Sequence, residues 1–248
     1  MDRMLYVAMT GATQTLRAQA EVSNNIANIS TTGFKAEMSA FQSLPVQGEG
    51  MPTRINAVDR GTGYDFSQGP LSHTGRSLDV AVQGPGWIAV QAPDGSEGYT
   101  RAGNLQLTSN GLLTDAAGNP VLGDGGPISV PPASQISIGS DGTVSVVPLG
   151  QSPDTLSSVD RIRLVDPPAD QLQQGSDGLM HLANGGPAPT DANVRLVAGT
   201  LEGSNVEPSA ALVQMIALSR QFDLQVQAIH SADQNAQAAS QLLQSSTS

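Results

Sequence analysis

The sequence predicts a mainly β middle module set between N- and C-terminal α-helices that pair as a coiled coil, an α+β arrangement. Three observations predict it. Residues 3 to 29 lack proline and repeat apolar residues at helical spacing. From Ala211 to Leu243 apolar residues recur in alternating steps of four and three, as along a heptad seam. Between the two, short apolar or alternating runs are punctuated by turn dipeptides.

The first element, residues 1–35, rests on Leu5, Met9, Ala12, Leu16 and Ala20, one stripe of a helix, after which the pattern shifts to Val22, Ile26 and Ile29. The polar stretch VSNNIANISTTGFKAE, residues 22–37, then stops it. Gly33 tolerates the left-handed backbone that ends a helix, and β-branched Thr31 and Thr32 do not favour continuing one, so the helix is expected to end near residue 30. Asn28, Thr31, Thr32 and Gly33 form the predicted hinge.

Residues 36–75 are rich in Gly and Pro and poor in periodicity, which predicts an extended connector with one hairpin. Residues 76–202 form the predicted β-domain. Val80 and Val82, Trp87 to Val90, Leu105 and Leu107, Ile136 and Ile138, Val144 and Val146, Ile162, Leu164 and Leu196 supply its strands. Asp94-Gly95, Asn110-Gly111, Asp141-Gly142, Asp177-Gly178 and Asn184-Gly185 supply its turns.

Residues 203–248 hold the C-terminal helix. Its seam runs through Ala211, Met215, Leu218, Phe222, Ile229, Ala232, Ala236, Ala239 and Leu243, interrupted at Gln225. Pro208 suits a first-turn position, with Asn205 or Glu207 as cap. A helix from Pro208 to Leu243 is about 54 Å long, more than a small domain needs, and is expected to project.

Composition narrows the function. The 248 residues contain no cysteine, which excludes a disulfide scaffold or thiolate metal site. The net charge is −11, and residues 36 to 202 carry most of it, with 17 acids against 7 arginines. Such an acidic body does not seek nucleic acid or anionic lipid. No run reaches the roughly 18 apolar residues of a membrane span, and MDRMLYVAMTGA lacks the apolar core of a secretory signal, so neither membrane insertion nor a cleaved signal peptide is expected.

Candidates for chemistry resolve into structure. GDGGP, Gly123 to Pro127, has the glycines that surround a protease nucleophile but no serine, and Asp124-Gly125 reads as a turn. His73, His181 and His230 stand apart, without zinc-ligand spacing. Asp141, Asp160, Asp166, Asp170 and Asp177 read as turn aspartates rather than a glycosidase pair. GPGW, Gly84 to Trp87, lacks the lysine and following helix of a phosphate loop. Asn28-Ile29-Ser30 has glycosylation spacing but falls at a helix end. No catalytic, cofactor or metal site is expected.

With these residues in view, SNNIANISTTGFKAE closely resembles the asparagine-rich motif near the start of bacterial flagellar axial proteins, the family of rod, hook and hook-filament junction subunits. LEGSNVEPSAALVQMIALSRQFDLQVQAI, residues 201–229, resembles the matching C-terminal motif. It departs from the commoner pattern at Ser219 to Phe222, where relatives carry a Gln-Arg pair followed by an aromatic and an acid. MDRMLYVAMTGATQTL, LDVAVQGPGWIAVQAPDGSEGYTRAGNLQLTSNGLL and DQNAQAASQLL extend the likeness along the chain toward the proximal-rod members.

The resemblance implies a structural subunit of the proximal rod, the drive shaft that crosses the periplasm, needed for motility and without enzymatic activity. It implies other rod subunits, copies of itself and the flagellar type III export apparatus as partners. The terminal helices would form the inner coiled-coil layer, with Leu5, Met9, Leu16, Ile26, Met215, Leu218, Phe222, Ile229 and Leu243 at the assembly interface. A distal-rod or hook subunit is the alternative within the family. A β-domain enzyme or polysaccharide-binding protein on a coiled-coil stalk is the alternative outside it.

Overall fold

The structure, a computed structural model, describes residues 2–38, 41–45, 55–59, 63–152 and 155–245. Of residues 2–4, 41–45, 55–59, 236, 239, 240 and 242–245 it describes the backbone alone. The chain divides into two compact units. One, the helical unit, comprises residues 1–28, 36–65 and 206–248; the other, the β unit, comprises residues 29–35 and 66–205.

In the helical unit, α1 (Asp2–Ala27) and α2 (Pro208–Ser245) pack against each other. α1 stops three residues before the expected limit, where Asn28 donates to the Asn24 carbonyl twice, from its backbone N–H at 3.1 Å and from its side-chain Nδ2 at 3.0 Å. α2 starts at the expected proline. The Glu207 carbonyl accepts the first helical bond, from Ala211 N–H at 3.0 Å, so Glu207 is the cap residue. The expected hairpin of the connector is present: strands Phe41–Pro45 and Ile55–Asp59 pair antiparallel.

The β unit is built of short antiparallel ladders around one apolar core. Its largest sheet has five strands in the order Leu164–Val165, Trp87–Gln91, Glu97–Thr100, Met180–Leu182, Leu172–Gln174. A three-stranded sheet runs from Ala133–Ile138 through Thr143–Pro148 to Ser157–Arg161. Val80, Val82, Ile88, Val90, Leu105, Val121, Ile128, Val144 and Ile162 are buried to within a few per cent and pack into one cluster. The run Trp87 to Val90 does not alternate because both of its faces are covered. All five turn glycines named from the sequence, Gly95, Gly111, Gly142, Gly178 and Gly185, have positive φ, and at the first four the hydrogen bonds close three-residue loops in which the glycine is the left-handed residue that ends the turn.

The units divide the chain differently from the blocks expected from sequence. Residues 29–35, placed with the first helix, and residues 66–75, placed in the connector, group with the β unit. The cause is strand pairing at the base of that unit, where Leu71–His73 pairs with Thr200–Glu202 and Gly33 N–H donates to the Glu202 carbonyl at 2.8 Å.

Candidate assembly interface

The helix pair is closed by small residues. Ala18, Val22, Ala211 and Leu218 are buried together, with Ile26, Val206 and Met215 packed at their edge. Ala12, Thr15 and Asn25 continue the buried side of α1. Along α2 the heptad seam is its less exposed side: Ala211 and Leu218 are buried, and Met215, Phe222, Gln225, Ile229 and Ala232 are half-buried. The side chain of Leu243 lies outside the described residues.

The stripe expected along α1 is divided between two faces. Ala12 is buried and Leu5 half-buried, but Met9 and Leu16 are 50% and 49% exposed, and Ala20 is exposed as well. Hydropathy misplaced part of the face because, ahead of Val22, α1 meets α2 through Gly11, Thr15 and Ala18, which are small or polar. Thr15 Oγ1 lies 3.0 Å from the Gly11 carbonyl and 3.2 Å from Gln225 Oε1, so the hydroxyl is satisfied within the pair.

Both helices consequently carry a second apolar face. On α1 it holds Tyr6, Met9 and Leu16. On α2 it holds Leu212, Val213, Ile216 and Leu224, all more than half exposed. At 100° per residue, Leu212, Ile216, Val213 and Leu224 fall within about 120° of arc, opposite the Ala211–Leu218 seam. Sequence reading passed over this face; the signal for it is the set of apolar residues left on α2 once the seam is removed.

The predicted hinge residues lie on both sides of the boundary between units. In the helical unit, buried Asn25 makes a two-way clasp: Nδ2 donates to the Glu37 carbonyl at 2.8 Å, and Glu37 N–H donates to Asn25 Oδ1 at 2.9 Å. Asn28 is the last residue of that stretch. In the β unit, Thr31 is exposed and its carbonyl accepts from Phe34 N–H at 3.3 Å, Thr32 is half-buried, and Gly33 has φ 70°. A Cβ at Gly33 would stand 2.3 Å from the Arg101 carbonyl carbon, so both the backbone and the space demand glycine.

Next to the hinge lies an ion cluster that sequence reading did not find. Lys35 Nζ is 2.6 Å from Glu202 Oε1, and the Arg101 guanidinium is 3.0 Å from Glu202 Oε2; their side chains are 1%, 2% and 0% exposed. Gly69 N–H donates to Glu202 Oε1 at 2.9 Å, Lys35 Nζ to the Ser67 carbonyl at 2.7 Å, and Arg101 to the Gly84 carbonyl at 2.8 Å. Arg101 also lies over the Trp87 ring, 5.4 Å from its centroid, and Phe66 meets the same ring edge-on. Burial alone would raise the Glu202 carboxyl, but the hydrogen bonds from Lys35 and Gly69 and the Arg101 charge outweigh it and hold the group below the usual carboxylate range.

Three of the five aspartates considered for chemistry have structural partners. Asp141 accepts from Thr143 N–H and Oγ1 within its own turn and lies 3.6 Å from the Arg161 guanidinium. Asp177 accepts from Leu179 N–H and meets His181 at 3.0 Å. Asp160 caps the Arg161 N–H, and Asp166 and Asp170 are exposed. Asp124-Gly125 is the two-residue link between Leu122–Gly123 and Gly126–Pro127, the turn expected of it. Among the described residues no group of three His, Asp or Glu side chains could hold a metal, and no helix is long and apolar enough to cross a membrane.

A chain with paired terminal helices around a β unit matches one class along its whole length. Residues 5–35 match the flagella basal body rod protein family, residues 81–146 the flagellar hook protein FlgE/F/G D1 domain, and residues 197–242 the flagellar basal body rod FlgEFG protein C-terminal family. The chain belongs to the family of bacterial flagellar basal-body rod proteins. It is 44% identical over 249 residues to the flagellar basal-body rod protein FlgF of Salmonella typhimurium and to that of Escherichia coli, covering 98% of this chain and 99% of each relative. The rod protein FlgG of Buchnera aphidicola from Schizaphis graminum is 34% identical over 259 residues, 96% of this chain and 98% of that one.

Proposed function

We propose that this chain is a structural subunit of the proximal part of the flagellar rod, joined to other rod subunits and to copies of itself through the outer faces of α1 and α2. The observation that carries the reading is the second apolar face on each helix: Met9 and Leu16 on α1, and Leu212, Val213, Ile216 and Leu224 on α2. Apolar rows of this kind on helices that already have a partner are what neighbouring helices pack against. The 44% identity to the FlgF rod proteins of Salmonella typhimurium and Escherichia coli, over nearly the whole chain, supports a place in the rod like theirs. In this role the chain transmits torque and performs no catalysis. It reaches the periplasm through the flagellar export apparatus.

The test separates the two faces of one helix. Ile216→Asp, which changes the outer face, should leave the helical circular dichroism of the purified protein unchanged. A strain with this variant as its sole copy should build no hook and should not swim. Normal basal bodies and swimming would overturn the reading.

A further inference from the structure

The β unit meets the rest of the chain at residues 28/29, 35/36, 65/66 and 205/206. Three of these crossings are fastened to one carboxylate. Lys35 stands at the second and binds Glu202 Oε1, Ser67 and Gly69 follow the third and bind Lys35 Nζ and Glu202 Oε1, and Glu202 itself precedes the fourth. Two further bonds close the same corner: Gly33 N–H to the Glu202 carbonyl at 2.8 Å and Asn205 N–H to the Phe34 carbonyl at 3.4 Å.

Apolar packing has little room here. Leu71 to His73 are exposed, and the backbones approach so closely that a Cβ on Gly69 would stand 2.2 Å from the Gly203 carbonyl oxygen. Buried ion clusters contribute little more to stability than an apolar cluster of the same volume. What they add is direction, because charge-assisted hydrogen bonds have fixed geometry and cannot slide as packed methyl groups can.

We propose that Glu202, gripped by Lys35 and Arg101, is the positioning residue of a torsion-resistant joint within the β unit, which ties together the segments by which the chain enters and leaves that unit and keeps them in place under the twist a rod carries. This rests on the rod-subunit reading for its purpose, though not for its geometry.

Two measurements test it. In purified full-length protein, Glu202→Gln should speed hydrogen exchange at Gly33, Gly69 and Gly203 by about tenfold or more, as the loss of one charge-assisted bond implies, and leave Val121 and Ile128 in the core protected. The second variant, Lys35→Met with Arg101→Met and Glu202→Leu, replaces the cluster with apolar groups. It should recover the Trp87 melting transition while leaving Gly69 fast to exchange, and a strain carrying it should lose swimming speed more steeply than its parent as the medium is made viscous. Unchanged exchange in Glu202→Gln, or full swimming of the apolar variant under viscous load, would overturn the joint. If Glu202→Gln does not fold, the apolar variant decides. A strain lacking the protein altogether that still builds hooks and swims would instead defeat the rod reading, and the exchange result would stand apart from it.

Discussion

Gln225 of α2 occupies the space that Gly11 of α1 leaves open: a Cβ built at position 11 would lie 3.0 Å from Gln225 Nε2. The break in the heptad seam is therefore matched by a glycine on the partner helix, and Thr15 supplies a hydroxyl 3.2 Å from the same amide. Gly11→Ala requires only that the flexible end of Gln225 give way, while it removes the cost of about 0.5–1 kcal/mol that glycine carries inside a helix. Gly11→Leu fills the space beyond that tolerance and should cost about 1–3 kcal/mol of pairing. Thermal melting followed by helical circular dichroism should rank alanine at or above the parent and leucine below it. The reverse order would mean that this contact does not set the pair.

Leu218 and Ile216 separate the pairing of the helices from their assembly. Leu218 is 6% exposed within the Ala18, Val22 and Ala211 cluster, so Leu218→Asp places a carboxylate among buried apolar side chains. The purified variant should lose helical signal at lower temperature, with the Trp87 transition unmoved. Among the described residues the buried apolar cluster of the pair has four members, a thin core, so even the parent helices should melt before the β unit. One shared transition for both signals in the parent would refute this.

How much of this was legible in the sequence depended on whether packing used apolar side chains. The α2 seam and its proline start could be read because Met215, Leu218, Phe222 and Ile229 are large and periodic. The pairing face of α1 was legible only at Val22, since Gly11, Thr15 and Ala18 register weakly or not at all as apolar. The turns were legible because glycine at positive φ leaves a local mark. The Lys35–Glu202 pair leaves none: its members are 167 residues apart, and nothing near either one shows that the two will meet.

Two buried groups give the β unit opposite pH limits. Burial pushes the Tyr99 hydroxyl up to about 12, against the hydrogen bond it accepts from Ala188 N–H at 2.7 Å. An unfolded tyrosine ionises near pH 10, so this contribution is complete below about 10 and is lost as pH rises through the folded value. Glu202 acts in the other direction. Its folded carboxyl lies below its ordinary value, so its contribution is present above the usual glutamate range and is lost as pH falls through the depressed one. Denaturant midpoints read from Trp87 emission should therefore fall at both ends. Tyr99→Phe should flatten the alkaline decline, though leaving Ala188 N–H without its acceptor should lower stability at neutral pH by about 1–3 kcal/mol. An alkaline decline as steep as the parent's would exclude Tyr99 as its source.

The limits of the β unit can be set by truncation. A fragment of residues 29–205 keeps Lys35, Arg101 and Glu202 together with the Gly33 and Asn205 backbone bonds that close the same corner. A fragment of residues 36–202, the connector and β-domain expected from sequence taken together, loses Lys35 and both backbone bonds while Glu202 and Arg101 remain. Removing one partner from a buried ion pair costs about 3–5 kcal/mol, and a folded domain has only about 5–15 kcal/mol in hand. The longer fragment should therefore unfold in denaturant at the midpoint of the full chain, as reported by Trp87. The shorter one should unfold at a much lower midpoint or fail to give a cooperative transition. Its Trp87 emission should be altered even when folded, because the Arg101 guanidinium lies over that ring and would be freed to move. Equal midpoints for the two fragments would show that the seven residues after the first helix only link the units and add nothing to the fold of the second.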